Sequence, residues 1–260
     1  GSIVDATSRG IGRDPLGLAR ISRATGLNVI MGAGYYVPQS HPPDMDDKSE
    51  DEITEEIITD ITVGVGDTGV RSGIIGEIGC TWPLQDNVLK VLRASARAQA
   101  ETGACILIHP GPEDECHQAI LDVLVSSGAH PHGVIMGHLD GTLMDLGLLK
   151  SLAETGCFLE YDNFSKEDSH SFLFSRDRVN DVQRIEKLAF LVENGFRDQV
   201  VIAQDVCTKQ HYSRYGGKGY AHILNEIVPR MRNKGFTEAE IEAILVDNPR
   251  RALTFNLPAS

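Results

Sequence analysis

Long apolar runs are missing from this sequence: no stretch approaches the roughly 20 consecutive apolar residues that a bilayer-spanning helix needs. A charged-then-apolar leader is missing too, so nothing in the opening residues marks the chain for secretion. Gly1–Ser2 instead runs almost directly into the apolar pair Ile3–Val4. Basic residues are scarce, with 24 Lys and Arg against 37 Asp and Glu and a formal net charge of −13. That balance argues against nucleic acid as a partner, because phosphate binding wants a basic patch. The acidity reads most simply as solubility. Cysteine is sparse and unpatterned, five residues without a C-x-x-C pair. Cys80, Cys105, Cys157 and Cys207 lie in or beside apolar runs, as reduced, packed thiols do, which points to a reducing, cytoplasmic compartment. A dinucleotide fingerprint is absent as well. Gly10-Ile11-Gly12 continues into Arg13-Asp14-Pro15, so the third glycine of G-x-G-x-x-G is not there and the segment reads as a plain turn.

What remains is an ordinary globular composition, 41% hydrophobic and 23% charged. At 260 residues the chain is long enough to bury a core without disulfides, and it is read as one domain over 1–260. Short, mostly apolar runs recur at Ile3–Ala6, Asn28–Gly32, Gly73–Ile78, Cys105–His109, Val134–His138, Cys157–Tyr161 and Val200–Asp205. Strands apolar on both faces belong to a parallel sheet covered by helices. Helical patterns separate them at Pro15–Thr25, Ile53–Val63, Gln85–Thr102, Gln118–Ser127, Leu143–Thr155 and Val182–Asn194, with two more at Tyr220–Lys234 and Thr237–Val246. Several stop at glycine, among them Gly26, Gly103 and Gly156. The acidic stretch Asp44–Glu56 reads as a solvated loop entering a helix. Strand and helix in alternation imply an α/β fold, and the expected architecture is a (β/α)₈ TIM-type barrel. Seven strands are visible where a closed barrel needs eight, so the first βα unit is expected to precede residue 1. The encoding gene would show whether it does.

The strand ends carry the chemistry. Glu77, His109, His138 and Asp205 stand at or near the C-terminal ends of four different strands, and in a barrel those ends face one mouth where active sites are built. Imidazoles and carboxylates are the ligands that Zn²⁺ and similar ions prefer. Each residue has a plainer alternative. Glu77 could be a buried carboxylate paired with an arginine, a costly arrangement unless satisfied. His109 before Pro110-Gly111 could cap a turn, His138 could be a core imidazole, and Asp205 could cap the following helix. Taken together those readings need four coincidences at equivalent positions, so a metal centre is expected.

The motifs Gly73-Ile74-Ile75-Gly76-Glu77-Ile78-Gly79, Ile108-His109-Pro110-Gly111, Gly137-His138-Leu139-Asp140 and Ala203-Gln204-Asp205 resemble the phosphotriesterase-related proteins of the amidohydrolase superfamily. Arg9–Pro15, Tyr215–Tyr220 and Asp247–Arg251 share the resemblance, which covers essentially the whole chain. It implies a barrel hydrolase with two divalent ions, Zn²⁺ first and Mn²⁺ as an alternative. By the same resemblance Glu77 bridges the two, His109 and His138 bind the more exposed one, and Asp205 binds the other and takes a proton from the attacking water as the catalytic base. The family's first-strand His-x-His has no counterpart here; His130-Pro131-His132 lies in a loop before Val134 and is out of place. Pro112 and Gly141 stand where relatives often carry arginine, and Gln204 where they carry histidine.

Tyr35, Tyr36 and Tyr161 follow or end strands and are candidate substrate-binding residues, although packing is the plainer role for an aromatic ring. His41, His117, His170, His211 and His222 fall outside the strand ends and are left out of the site. The expected activity is hydrolysis of a carboxylic ester, a lactone or an N-acyl amide, with a phosphoester as a further option. The alternative is a truncated or non-catalytic barrel that binds a small molecule or a metal. A small-molecule substrate is the expected partner, with no membrane and with homodimers as a family habit.

Overall fold

Short β-branched runs become parallel strands here because helices cover them, and the computed structural model shows this separately in two units. It describes residues 1–166, 170–171 and 176–256, in one unit of Gly1–Met136 with Ala252–Ser260 and another of Gly137–Arg251.

In the first unit β1 (Ser2–Asp5), β2 (Asn28–Ala33), β3 (Ile74–Gly79), β4 (Ile106–His109) and β5 (Val134–Met136) pair in parallel, each with the next in chain order. Between them run α1 (Pro15–Thr25), α2 (Glu50–Thr62), α3 (Asp86–Thr102) and α4 (Cys116–Ser126). The local reasons are visible at the caps. Asp14 accepts from the Gly17 amide at 2.9 Å, Pro15 occupies the first turn where no N–H is needed, and Gly26 ends α1 at φ 73°. Helix α2 begins three residues before the apolar pattern does. Ser49 and Glu52 form a reciprocal capping box that draws part of the acidic stretch into the first turn, where carboxylates suit the helix dipole. Ile53, Ile57 and Ile61, one turn apart, are buried on one face of α2. Each such isoleucine contributes roughly 1.5–3 kcal/mol of burial. Gln99 on α3 fastens the entrance of β5, donating to the Gly133 carbonyl at 2.6 Å and accepting from the His130 amide at 2.7 Å.

In the second unit β6 (Phe158–Tyr161) and β9 (Val200–Ile202) pair in parallel, which brings the parallel strands to the seven that the pattern marks. Two residues each, β7 (His170–Ser171) and β8 (Arg176–Asp177), make a separate antiparallel pair. The helices are α5 (Leu139–Thr142), α6 (Leu146–Glu154), α7 (Asp181–Glu193), α8 (Val228–Asn233), α9 (Glu238–Glu242) and α10 (Asn248–Leu253). The two continuous helices expected near the end are interrupted instead. Ile223–Ile227 and Ala243–Asp247 are π turns, each placed just ahead of a proline, Pro229 and Pro249. A proline inside a helix lacks the N–H and its ring crowds the preceding turn, and widening that turn relieves the crowding. Asn248, fully buried, donates to the carbonyls of Arg197 (2.8 Å) and Val200 (2.6 Å), fixing this segment to the start of β9.

Cys80, Cys105, Cys116 and Cys157 are buried free thiols, but Cys207 is exposed, a correction to its reading as a packed cysteine. It follows β9 by five residues, beyond the helix-covered strand, so its apolar neighbours in sequence do not enclose it. Among the described residues no helix is long and apolar enough to cross a membrane.

Candidate metal centre

Glu77 sits inside β3 where the strand breaks step with β4: the register shifts between Ile75 and Ile78. A bulge of this kind re-aims a side chain. Gly76 permits it, since at φ 131° an added Cβ would lie 2.4 Å from the Leu107 carbonyl oxygen. Ile75 and Ile78 are fully buried while Glu77 is half-buried, its carboxylate turned to His109 at the end of β4. Glu77 Oε1 and His109 Nδ1 stand 3.5 Å apart. The Tyr36 hydroxyl lies 3.1 Å from His109 Nδ1 and 3.4 Å from Nε2, and the two rings meet edge to face at 4.8 Å. Tyr36 is steadied in turn by His41, whose Nε2 lies 2.8 Å from the Tyr36 carbonyl oxygen.

His138 follows β5 by two residues and takes a left-handed backbone, φ 54° and ψ 24°. Its amide donates to Asp162 Oδ2 at 2.9 Å and its Nδ1 lies 2.8 Å from Asp162 Oδ1. Burial pushes the Asp162 carboxyl above its ordinary range, and the His138 ring pulls the other way. Asn163 Nδ2 donates both to Asp162 Oδ1 (2.8 Å) and to Asp140 Oδ1 (3.1 Å). Arg184, 1% exposed, then joins Asp140 (2.6 Å), Asp181 (2.8 Å) and the Lys166 carbonyl (3.0 Å). Asp181 reaches His222 Nε2 at 2.7 Å.

Among the described residues three non-glycines have positive φ: His138, Ser165 and Asp205 (41°). Such conformations cost on the order of 1–3 kcal/mol each and cluster where function over-determines the backbone. Two of these three are residues that strand position alone marks as ligands.

Glu77 and His109 offer ligand atoms within the first unit, Oε1 and Nδ1 3.5 Å apart, and His138 offers another in the second. One carboxylate with two imidazoles is a donor set that fits Zn²⁺ and its neighbours. Asp205 is not one of that group. Its carboxylate pairs with the buried Lys166 ammonium, which also lies 3.7 Å from Cys207 Sγ. Of the aromatic candidates only Tyr36 touches a ligand. Tyr35 is buried with its hydroxyl held by Glu56 and by Arg9 (3.1 Å), and burial, then Glu56, push that phenol upward. Tyr161 is buried too, and its hydroxyl has no hydrogen-bond partner among the described residues. Gln204 donates to the Gly219 carbonyl at 2.6 Å and so ties the end of β9 to the glycine-rich loop.

Asp162, Lys166 and Arg184 escape the sequence reading. Asp162 had a usable signal, because it follows β6 as the other candidates follow their strands. Lys166 and Arg184 had none, since nothing in one sequence distinguishes a buried cation from a surface one.

A family model described as the phosphotriesterase family matches residues 1–253. The chain is 42% identical over 254 residues to an N-acetyltaurine hydrolase of Dictyostelium discoideum, covering 97% of this chain and 69% of that protein. It is 41% identical over 255 residues to a phosphotriesterase-related protein of Nematostella vectensis, covering 98% and 73%. Among solved structures, a resiniferatoxin-binding protein from Rhodobacter sphaeroides superposes with TM-score 0.94 at 35% identity, over 100% of this chain and 72% of that one.

Proposed function

The chain belongs to the phosphotriesterase family of TIM-barrel hydrolases, and on that premise we propose that it is a divalent-metal hydrolase of small N-acyl amides. The donor set of Glu77, His109 and His138, metal-ligating side chains at or near the ends of three strands, carries this reading. These three would hold one ion, zinc before manganese, and Asp205 would be a ligand of a second. When bound, such an ion supplies positive charge that polarises a scissile carbonyl and acidifies water.

The other steps fall to side chains. Asp205 takes the proton of the attacking water and hands it to the departing nitrogen, and Lys166 tethers the carboxylate that does so. Tyr36 holds the His109 ring through its hydroxyl. The buried Tyr161 hydroxyl is the donor placed to meet a substrate oxygen, since a polar group without a partner is costly to keep in a dry setting. The amide is preferred over an ester or lactone because N-acetyltaurine hydrolases stand among the similar proteins. A cytoplasmic location agrees with the buried free thiols.

The test is a substrate panel with added Zn²⁺ or Mn²⁺, run on the protein expressed from its full gene: N-acetyltaurine, other N-acyl amino acids, a lactone and a phosphotriester. Turnover is expected first on an N-acyl amide. Activity on the phosphotriester alone would overturn the preference, and no turnover with any metal would overturn the enzyme. The resiniferatoxin-binding relative favours a second reading, a non-catalytic barrel that binds a small molecule. Saturable binding of intact resiniferatoxin by a metal-loaded but inactive protein would select that reading.

A further inference from the structure

Asp162 does more than fill space beside His138: the geometry points to it as a positioning residue that fixes which ring nitrogen of His138 serves as ligand, with Arg184 as the remote anchor of that arrangement. The inference rests on the metal reading above, and its test separates the two.

Asp162 grips His138 at two points, the backbone amide at 2.9 Å and ring Nδ1 at 2.8 Å, with one carboxylate oxygen for each. A carboxylate accepts and does not donate, so the ring contact places the imidazole proton on Nδ1 and makes Nε2 the basic nitrogen. The backbone contact has separate work. His138 stands at φ 54°, where its Cβ crowds the backbone, and the amide bond to Asp162 offsets part of that strain. The same carboxylate therefore holds the bend that aims the ring and the tautomer that makes it a ligand.

A carboxylate so deeply buried needs support of its own. Asn163 links Asp162 to Asp140 through the two protons of one amide, and the Asn163 backbone N–H adds a bond to Asp140 Oδ2 at 3.1 Å. Arg184 supplies the charge. Its Nε meets Asp140, its Nη1 meets Asp181 and its Nη2 meets the Lys166 carbonyl, so one guanidinium uses three of its nitrogens on three anchors. Asp181 also accepts from the Ser165 amide at 3.0 Å, where the backbone is again left-handed at φ 83°. The cation that is buried farthest along this chain of bonds thus holds the loop 162–166, which carries both Asp162 and Lys166. Arg184 is linked to His138 through Asp140, Asn163 and Asp162. Ordinary packing predicts a loss of stability on mutation; it does not predict a change in tautomer.

The experiment is a long-range ¹H–¹⁵N correlation on the metal-free protein, alongside zinc affinity by chelator competition. Wild type is expected to show His138 protonated on Nδ1. Asp162→Leu is expected to move the proton largely to Nε2 and to weaken zinc about 10- to 100-fold. Asp162→Asn, whose carbonyl still accepts one bond, should fall between, which keeps the proposal exposed if the leucine variant does not fold. Arg184→Lys should shift the tautomer in the same direction by a smaller step. A wild-type ring protonated on Nε2 overturns the inference without any variant. So does a folded Asp162→Leu or Asp162→Asn protein with the wild-type tautomer and zinc affinity. A wild type with Nδ1–H that binds no zinc overturns the metal reading and leaves the tautomer assignment standing.

Discussion

His109 and His138 are both imidazoles at strand ends, yet their surroundings have little in common. His109 ends a regular strand, 15% exposed in its side chain, with a rotatable phenol and a carboxylate 3.5 Å away as its neighbours. His138 is 7% exposed, stands on a left-handed backbone and is clamped twice by a carboxylate that leads into a buried ion network. A hydroxyl can turn to follow a ring, so it steadies His109 at little cost and little gain. The Asp162 carboxylate, held by Asn163 and through it by the Asp140–Arg184 pair, is not free to turn, so it steadies His138 at the expense of burying several charges. The first arrangement leaves fold and site nearly separable; the second makes them one problem.

That contrast is open to attack in order of effect. Arg184→Met should destabilise the protein most, by about 3–5 kcal/mol, because it strands Asp140 and Asp181 without their cation. Urea unfolding would measure it, and a loss below about 1 kcal/mol would erase the distinction between the two histidines. His109→Ala should do the reverse. Metal content by mass spectrometry should drop and hydrolysis should fall at least about 100-fold, while stability changes by only about 1 kcal/mol, since the Glu77 carboxylate left behind is only half-buried. Tyr36→Phe removes one hydrogen bond of about 0.5–1.5 kcal/mol, so hydrolysis should fall by no more than about tenfold. A larger drop would show that the hydroxyl touches substrate as well as His109.

The smallest effect belongs to pH and to a cluster beside Tyr35. Burial pushes the Glu56 carboxyl up, but hydrogen bonds from Lys48 and Tyr35 and the charge of Arg9 outweigh it, so the folded value lies below the ordinary one. On acidification the unfolded chain therefore takes up this proton first. The stability Glu56 contributes is complete above the ordinary carboxylate value and is lost as pH falls through the folded value. Thermal melts carried from neutral pH to well below the ordinary carboxylate value of 4.5 should show a shallower acid slope in Glu56→Gln than in wild type. Equal slopes would assign the acid sensitivity elsewhere.

The four proposed ligands were readable because strand ends are marked twice in a sequence, by the end of an apolar run and by the polar residue that closes it. The same logic reaches Asp162, the polar residue that directly follows Tyr161 at the end of β6. The π turns were not readable. Pro229 and Pro249 are plain in the sequence, but whether a helix ends at a proline or widens to pass it depends on what the next turn packs against. Asn248 shows the same gap, since its motif can be seen while its bonds to the Arg197 and Val200 carbonyls join residues about fifty positions apart.

By itself the sequence determined the alternation of strands and helices, the caps that start and stop them, and the residue types standing at the strand ends. Those properties are local: an apolar period, a capping side chain and a glycine act within a few residues. Only the tertiary structure decided that Asp205 pairs with Lys166 and that Arg184 is buried among carboxylates. A charge in a sequence carries no record of its solvent. Its partners, and hence its part in the site, are set when distant segments exclude water around it.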